Sequence, residues 1–132
     1  MTHFVEFSKI ADERGSLVPV DLNKKLPFDC KRVYFLKNLD PQLRRGFHAH
    51  HALRQAFYCV QGSCVVMLDD GARKVDVAVS GEKALLIEPM IWHEMYDFSA
   101  DCVIAVFASE HYLEKDYIRD RSTFQKLISG DK

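Results

Sequence analysis

Within Arg45-Gly46-Phe47-His48-Ala49-His50-His51, two histidines stand in an H-x-H spacing directly after an Arg-Gly pair. In an extended segment side chains alternate between faces, so His48 and His50 point to one side and Ala49 to the other. Two imidazoles sharing a pocket suit two kinds of chemistry. They can ligate a metal ion, or they can move protons, because an imidazole titrates close to neutral pH. His51 falls on the opposite face and is expected in solvent. A third histidine follows a proline turn in Glu88-Pro89-Met90-Ile91-Trp92-His93-Glu94. A lone buried histidine is ordinarily a packed one, but H-x-H combined with His93 points to a site. His3 and His111 have no such partners and receive no role.

Short β-rich runs separated by turn residues must position these groups. Ser16 to Val20 follows Arg14-Gly15, and Lys31 to Leu36 follows Pro27-Phe28-Asp29. Ala56 to Val60 and Ser63 to Leu68 flank Gly62 as a hairpin would, and Asp70-Gly71 favours the positive φ angles of a tight turn. Lys74 to Val79 alternates polar and apolar like a half-buried strand. Ala84 to Ile87 ends at Glu88-Pro89, and Asp101 to Ala108 is a continuous apolar strand of a sheet centre. Only the tail reads as helical, over Lys115 to Arg119 and again where Phe124, Leu127 and Ile128 stand at i, i+3, i+4. Eight to ten short strands with one C-terminal helix describe an all-β sandwich or jelly roll, with residues 1–132 as one domain.

Composition narrows the function classes. At 132 residues, 48% hydrophobic and 28% charged, the chain has enough apolar mass for a core and is neither disordered nor a membrane span. A net charge of -1 argues against nucleic acid, although a few arginines can still gather around a small anion. The N-terminus shows no basic region followed by an apolar core, so a cytoplasmic protein is expected. Cys30, Cys59, Cys64 and Cys102 are scattered without a C-x-x-C pair and read as free thiols in a reducing compartment.

The two-part histidine pattern resembles the cupin superfamily of small jelly-roll barrels. The first cupin motif maps onto Gly46, His48, His50, Gln55 and Gly62, and the second onto Pro89 and His93. One departure matters. The metal-binding pattern has Glu where this chain has Gln55, and an amide oxygen is a far weaker ligand for iron or manganese than a carboxylate. The resemblance therefore implies no obligatory metal, and neutral imidazoles remain as acid–base groups.

Six blocks sharpen the likeness: Arg14-Gly15-Ser16-Leu17, Arg32-Val33-Tyr34, Arg45 to His50, Gly62-Ser63-Cys64, Leu68-Asp69-Asp70-Gly71 and Trp92-His93-Glu94-Met95. In this order they resemble the WxcM-like or FdtA family, the dTDP-4-keto-6-deoxyhexose 3,4-ketoisomerases. That resemblance implies a homodimer, no cofactor, and a dTDP-linked 4-keto-6-deoxyhexose as partner. It also implies a place in the making of 3-amino sugars for surface polysaccharides such as O-antigen.

Moving a ketone from C4 to C3 requires removal of the C3 proton, an enediol, and return of a proton to C4. The site needs a base poised near neutrality and a donor for the C4 oxygen. His48 is the expected base, His50 the proton shuttle and Tyr34 the donor. The pyrophosphate calls for Arg14 and Arg45, each followed by a glycine that lets the backbone approach a ligand. Gln55 and His93 are expected at the substrate, and Trp92 against the thymine or in the pocket wall. Three other readings stay open: a 3,5-epimerase of the same substrate, a metal-dependent cupin oxygenase, and a non-catalytic sugar-nucleotide-binding cupin.

Overall fold

The computed structural model describes residues 1–130. The chain begins with β1 (Phe4–Glu6), the hairpin strands β2 (Ile10–Asp12) and β3 (Gly15–Leu17), and one helical turn, α1 (Leu22–Lys25). Eight strands follow: β4 (Arg32–Leu36), β5 (Arg45–His50), β6 (Gln55–Gln61), β7 (Ser63–Asp69), β8 (Lys74–Ser80), β9 (Lys83–Ile87), β10 (Trp92–Tyr96) and β11 (Val103–Ala108). A 3-10 turn (Glu114–Asp116) leads into β12 (Tyr117–Ile118) and helix α2 (Arg121–Ser129).

Two antiparallel five-stranded sheets face each other, ordered β1-β9-β6-β11-β4 and β12-β5-β10-β7-β8. This is the jelly roll that the strand spacing predicts. The main core lies between the sheets. Phe57, Leu85, Ile104 and Val106 on one meet Val66, Leu68, Val79 and Met95 on the other. Continuous apolar sequence marks β11 because both its faces are covered: Ile104 and Val106 face the other sheet, while Ala105 and Phe107 join Phe7 and Tyr58 on the outer face. Among the described residues no helix is long and apolar enough to cross a membrane.

Three local expectations are corrected. Strands β6 and β7 do not form a hairpin; β6 pairs with β9 and β11, and β7 with β8 and β10. The turn at Gly62 carries the chain from one sheet to the other, and the hairpin is instead β7–β8 around Asp70-Gly71. Residues 117–118 are strand rather than helix. A two-residue run is too short to show a period, and it takes strand geometry from the free edge of β5, with Tyr117 opposite His50 and Ile118 opposite Ala49. The turn α1 near the N-terminus carries no buried residue, so it leaves no apolar stripe to read.

Helix α2 lies where the amphipathic spacing places it. Asp120 caps its first turn by accepting from the Thr123 backbone N–H, and Gly130 ends it in the left-handed conformation. Phe124 is fully buried with its ring centroid 5.7 Å from that of Trp92, and Arg121 pairs with the buried Asp69 carboxylate. The helix thereby covers the outer face of the β5–β10 ladder that carries the histidines. Phe124→Ala is expected to lower stability by roughly 3 to 5 kcal/mol. Urea denaturation measures it, and a loss under about 1 kcal/mol would show that α2 does not brace the sheet.

Candidate active site

Strands β5 and β10 are antiparallel neighbours, and His48 pairs in register with His93. The ladder is irregular there. His93 opposes His48 but Glu94 opposes Gly46, so Phe47 is an extra residue on β5. Phe47 takes a φ of 59° and Gly46 one of 99°. A Cβ at Gly46 would stand 2.8 Å from the His93 carbonyl oxygen and 3.1 Å from Glu94 Cα, so only glycine fits. The proline turn does the parallel job for β10. Met90, at a φ of 60°, donates its backbone N–H to the His50 carbonyl at 2.8 Å, which ties the approach of His93 to β5.

Ring centroids of His48 lie 4.9 Å from His50 and 4.5 Å from His93, so the H-x-H pair does share a face and His93 joins it. Tyr117 closes the group, 4.3 Å from the His50 ring and 5.1 Å from the His48 ring. His48 Nδ1 is 3.0 Å from the Gly46 carbonyl and His93 Nδ1 is 3.1 Å from the Ile91 carbonyl. A carbonyl only accepts, so both Nδ1 atoms carry the proton and both Nε2 lone pairs remain free. His50 differs. It is buried, and neither ring nitrogen has a hydrogen-bond partner among the described residues. Its Nδ1 stands 3.4 Å from Asp116 Oδ2, an approach without hydrogen-bond geometry. Asp116 is itself fixed by the backbone N–H groups of Ala52 and Leu53, which donate at 2.9 and 3.2 Å.

Burial holds all three imidazoles neutral. It lowers His48 from the ordinary histidine value, against the pull of the Gly46 hydrogen bond. It lowers His93 to about 3 and His50 to about 3, and the charges of His48, Arg32 and Arg119 add to the effect at His50. Tyr34 lies on the inner face of β4, accepts from Gln55 Nε2 at 2.7 Å, and is pushed up to about 12 by burial. Its phenol stays protonated near neutrality. With Gln55 donating to the oxygen, the phenolic hydrogen is left to donate elsewhere.

One ring nitrogen from each of His48, His50 and His93 lies within 4.8 Å of the others, a spacing that could hold a metal ion. Among the described residues no carboxylate joins that set in the manner of the metal-binding cupins. Gln55 points its amide at Tyr34 rather than at the imidazoles.

The other expected residues lie apart. Trp92 is on the opposite face of β10, 3% exposed beneath α2, with its indole N–H donating to Glu94 at 2.7 Å. Strand alternation explains this: His93 faces inward, so Trp92 cannot, and it lies across the sheet from the histidines. Arg14 occupies the tip of the β2–β3 hairpin, its side chain 85% exposed and paired with Asp12. It touches none of the histidines. Arg45 is an exposed residue on β5 beside Gly46, without an ion pair among the described residues. His51 is exposed, as the alternation predicts.

Several groups were missed. Arg32 shares the inner face of β4 with Tyr34, its guanidinium 5.0 Å from the Tyr34 ring centroid and 5.9 Å from that of Tyr112. Its Nε and Nη2 are buried without hydrogen-bond partners. It lines a cavity of about 300 Å³ together with Asp116 and Tyr117, the residues against His50. The alternation Arg32-Val33-Tyr34 was the available signal. Asp116 and Tyr117 gave none, because only the β12–β5 pairing brings them to the histidines. Arg119 stacks 4.3 Å over Tyr117 and is held by Glu114.

The neutral histidines have a consequence for stability. An unfolded chain binds protons at histidine near pH 6.5, whereas folded His50 and His93 resist until about 3. Below about pH 6.5 the unfolded state therefore holds more protons, and stability falls as pH falls. Each site contributes a slope of up to about 1.4 kcal/mol per pH unit. Urea midpoints measured between about pH 7.5 and 5 should decline, and His93→Gln should flatten the decline. A midpoint independent of pH over that range would refute the dry, neutral cluster.

The family model for FdtA, described as WxcM-like, C-terminal, matches residues 1–129. A TDP-4-oxo-6-deoxy-alpha-D-glucose-3,4-oxoisomerase of Aneurinibacillus thermoaerophilus is 47% identical over 126 residues, covering 95% of this chain and 91% of that protein. The crystal structure of QdtA, a sugar 3,4-ketoisomerase from Thermoanaerobacterium thermosaccharolyticum in complex with TDP, superposes with a TM-score of 0.94 at 35% identity, covering 98% of this chain and 95% of that one. A variant of QdtA with one histidine changed to asparagine, in complex with TDP-4-keto-6-deoxyglucose, superposes with a TM-score of 0.94 at 34% identity, covering 98% and 94%.

Proposed function

The chain belongs to the FdtA family (WxcM-like, C-terminal) and is a TDP-sugar 3,4-ketoisomerase, and we propose that its histidine cluster moves the ketone of TDP-4-keto-6-deoxyglucose from C4 to C3 by proton transfer alone. The observation that carries the mechanism is the state of His50, a buried imidazole with two unpartnered nitrogens and a carboxylate 3.4 Å behind Nδ1. Leaving a buried polar group without a partner is costly, and such a cost is tolerated where a ligand supplies the missing contacts. Asp116 stands where the orienting acid of a base stands: it stabilises the imidazolium that forms when Nε2 takes a proton.

His50 is therefore the base at C3, and His48 carries the proton that C4 receives. This reverses the order expected from the sequence, and Asp116 is the reason. As the C3–H bond breaks, its electron pair forms the C3–C4 double bond and charge moves onto the C4 oxygen. Tyr34, protonated and held by Gln55, donates to that oxygen. The proton taken by His50 returns to the C4 oxygen by way of Tyr34, which gives the enediol. His48 Nε2 then takes the O3 proton as the ketone forms at C3 and passes it to C4, so every group ends as it began. No atom is gained or lost. His93, whose Nε2 is also free, borders the sugar beside His48. The unpaired guanidinium of Arg32 supplies fixed positive charge to the negatively charged substrate, together with the exposed Arg45.

Incubation with TDP-4-keto-6-deoxyglucose in D2O, followed by proton NMR, tests both the reaction and the order of the histidines. Wild-type protein should yield the 3-keto isomer, with activity unchanged by a chelator. His50→Asn should lose C3 exchange and turnover by at least about a hundredfold. His48→Asn should keep C3 exchange while losing ketone transfer. Near-normal turnover in His50→Asn, exchange lost only in His48→Asn, or activity abolished by the chelator would each overturn the scheme.

The same reading extends to a cytoplasmic homodimer acting as one domain in the making of 3-amino sugars for surface polysaccharides such as O-antigen. Phe35 is 64% exposed, Val60 53% and Val33 41%, and they line a groove of about 670 Å³ on the outer face of the β4–β11–β6 sheet. The β2–β3 hairpin adds exposed Ile10 and Leu17. So much apolar surface suits contact with a second copy, which also gives the exposed hairpin carrying Arg14 somewhere to dock. Light scattering at micromolar concentration should give a dimer mass, and a monomer would refute it.

A further inference from the structure

Three of the four cysteines converge at the end of the barrel away from the histidines. Cys59 on β6, Cys64 on β7 and Cys102 just ahead of β11 are 3%, 2% and 3% exposed. All are free thiols, and their sulfurs lie within 4.8 Å of one another. Cys59 Sγ and Cys64 Sγ are 3.8 Å apart. Gln55 and Cys59 are four residues apart on β6, which places the thiols roughly 13 Å along the strand from the catalytic end.

The spacing matches shared ligation. Sulfurs held at about 2.3 Å from one ion stand roughly 3.8 Å apart in a tetrahedral set and about 4.0 Å apart in a trigonal one. The Cys59–Cys64 pair already has that separation. The third sulfur, within 4.8 Å, is at most about 1 Å beyond it, the difference between 4.8 and 3.8 Å.

The backbone around the sulfurs is fixed. Gly62, at a φ of 76°, turns so closely against the next loop that a Cβ would stand 2.1 Å from Ser99 Oγ and 3.0 Å from Cys102 Cα. Ser63 N–H donates to Ser99 Oγ at 2.9 Å, Ser99 N–H to the Ser63 carbonyl at 2.9 Å, and Cys102 N–H to the Ser99 carbonyl at 3.1 Å. Turn and loop thus hold the three thiols in a preorganised arrangement.

We propose that Cys59, Cys64 and Cys102 form a binding site for a thiophilic divalent cation of the zinc kind. Soft thiolates select such ions over magnesium or calcium. Charge favours the divalent ion over a monovalent one. Three thiolates leave one net negative charge around the first and two around the second, and in an apolar core the smaller excess costs less. Each ligating thiol gives its proton to solvent, so one ion displaces three protons and no oxidant takes part.

Cadmium is a direct probe, because thiolate ligation produces a sulfur-to-metal charge-transfer absorption that histidine nitrogens do not. One equivalent of cadmium chloride added to the whole protein should produce that band and raise Tm, and zinc should compete it away. Cys102→Ser and Cys102→Ala should lose the band, while Cys30→Ser keeps it. Ketoisomerase turnover of metal-free Cys102→Ser should equal that of the wild type. The proposal is overturned if the folded wild-type protein gives no band where the urea-unfolded chain does, a titration that needs no folded variant. A band that survives in both Cys102 variants, or vanishes in Cys30→Ser, overturns it equally.

Discussion

The site depends on one irregularity in one ladder. If β5 and β10 paired without a break, placing His48 opposite His93 would put Phe47, not Gly46, opposite Glu94. The extra residue at Phe47 lets Gly46 turn its carbonyl onto His48 Nδ1 at 3.0 Å, so the backbone that positions the ring also selects its tautomer. The bulge requires positive φ at both Gly46 and Phe47, and no side chain fits at the first. The strain is held in place from outside by the cover of Phe124 and Ile118 on Ala49 and Trp92. Helix α2, which contributes nothing to the cluster itself, is in this sense part of the site.

Electrostatics then follows from packing. Three imidazoles within 6 Å of one another, centroid to centroid at 4.9, 4.5 and 5.8 Å, cannot all carry charge in a buried space. Arg32 and Arg119 add positive field at His50, so the resting cluster is neutral. A neutral cluster accepts protons. The same arginines that disfavour an imidazolium favour an oxyanion, so in the proposed reaction the field that weakens His50 as a base assists the enediolate. In the proposed reaction Asp116, 3.4 Å from His50 Nδ1, offsets the penalty at the ring that becomes cationic.

Legibility in the sequence followed the range of each interaction. Period-2 alternation placed His48 with His50, and the two-part motif added His93, because both are local patterns whose geometry survives in any strand. The strand runs β7, β8, β9 and β11 were readable for the same reason. Trp92 was misplaced by adjacency: beside His93 in sequence, it is across the sheet from it in space. Asp116, Tyr117 and the thiol cluster were out of reach, since each depends on a pairing between segments distant in the chain. The corner at Gly62 was mistaken for a hairpin because a glycine turn between two β-rich runs looks alike whether the strands pair or part. What distinguishes them is the fit of Ser99 and Cys102 against the glycine, a contact about forty residues away in the chain.

Gln55 shows how the cupin frame was turned to another chemistry. A carboxylate at that position, on the inner face of β6, would bring the charged oxygen ligand that an amide lacks. The amide instead donates to Tyr34 at 2.7 Å. The amide has two effects: it lacks the charge of a carboxylate, and it occupies the phenol oxygen as an acceptor so that its hydrogen points elsewhere. A glutamate there would reverse both: an acceptor would meet the phenol, take its hydrogen and, in the proposed reaction, leave no donor for the C4 oxygen. In the proposed reaction the amide at residue 55 thus keeps Tyr34 a donor where an acid would make it an acceptor's partner.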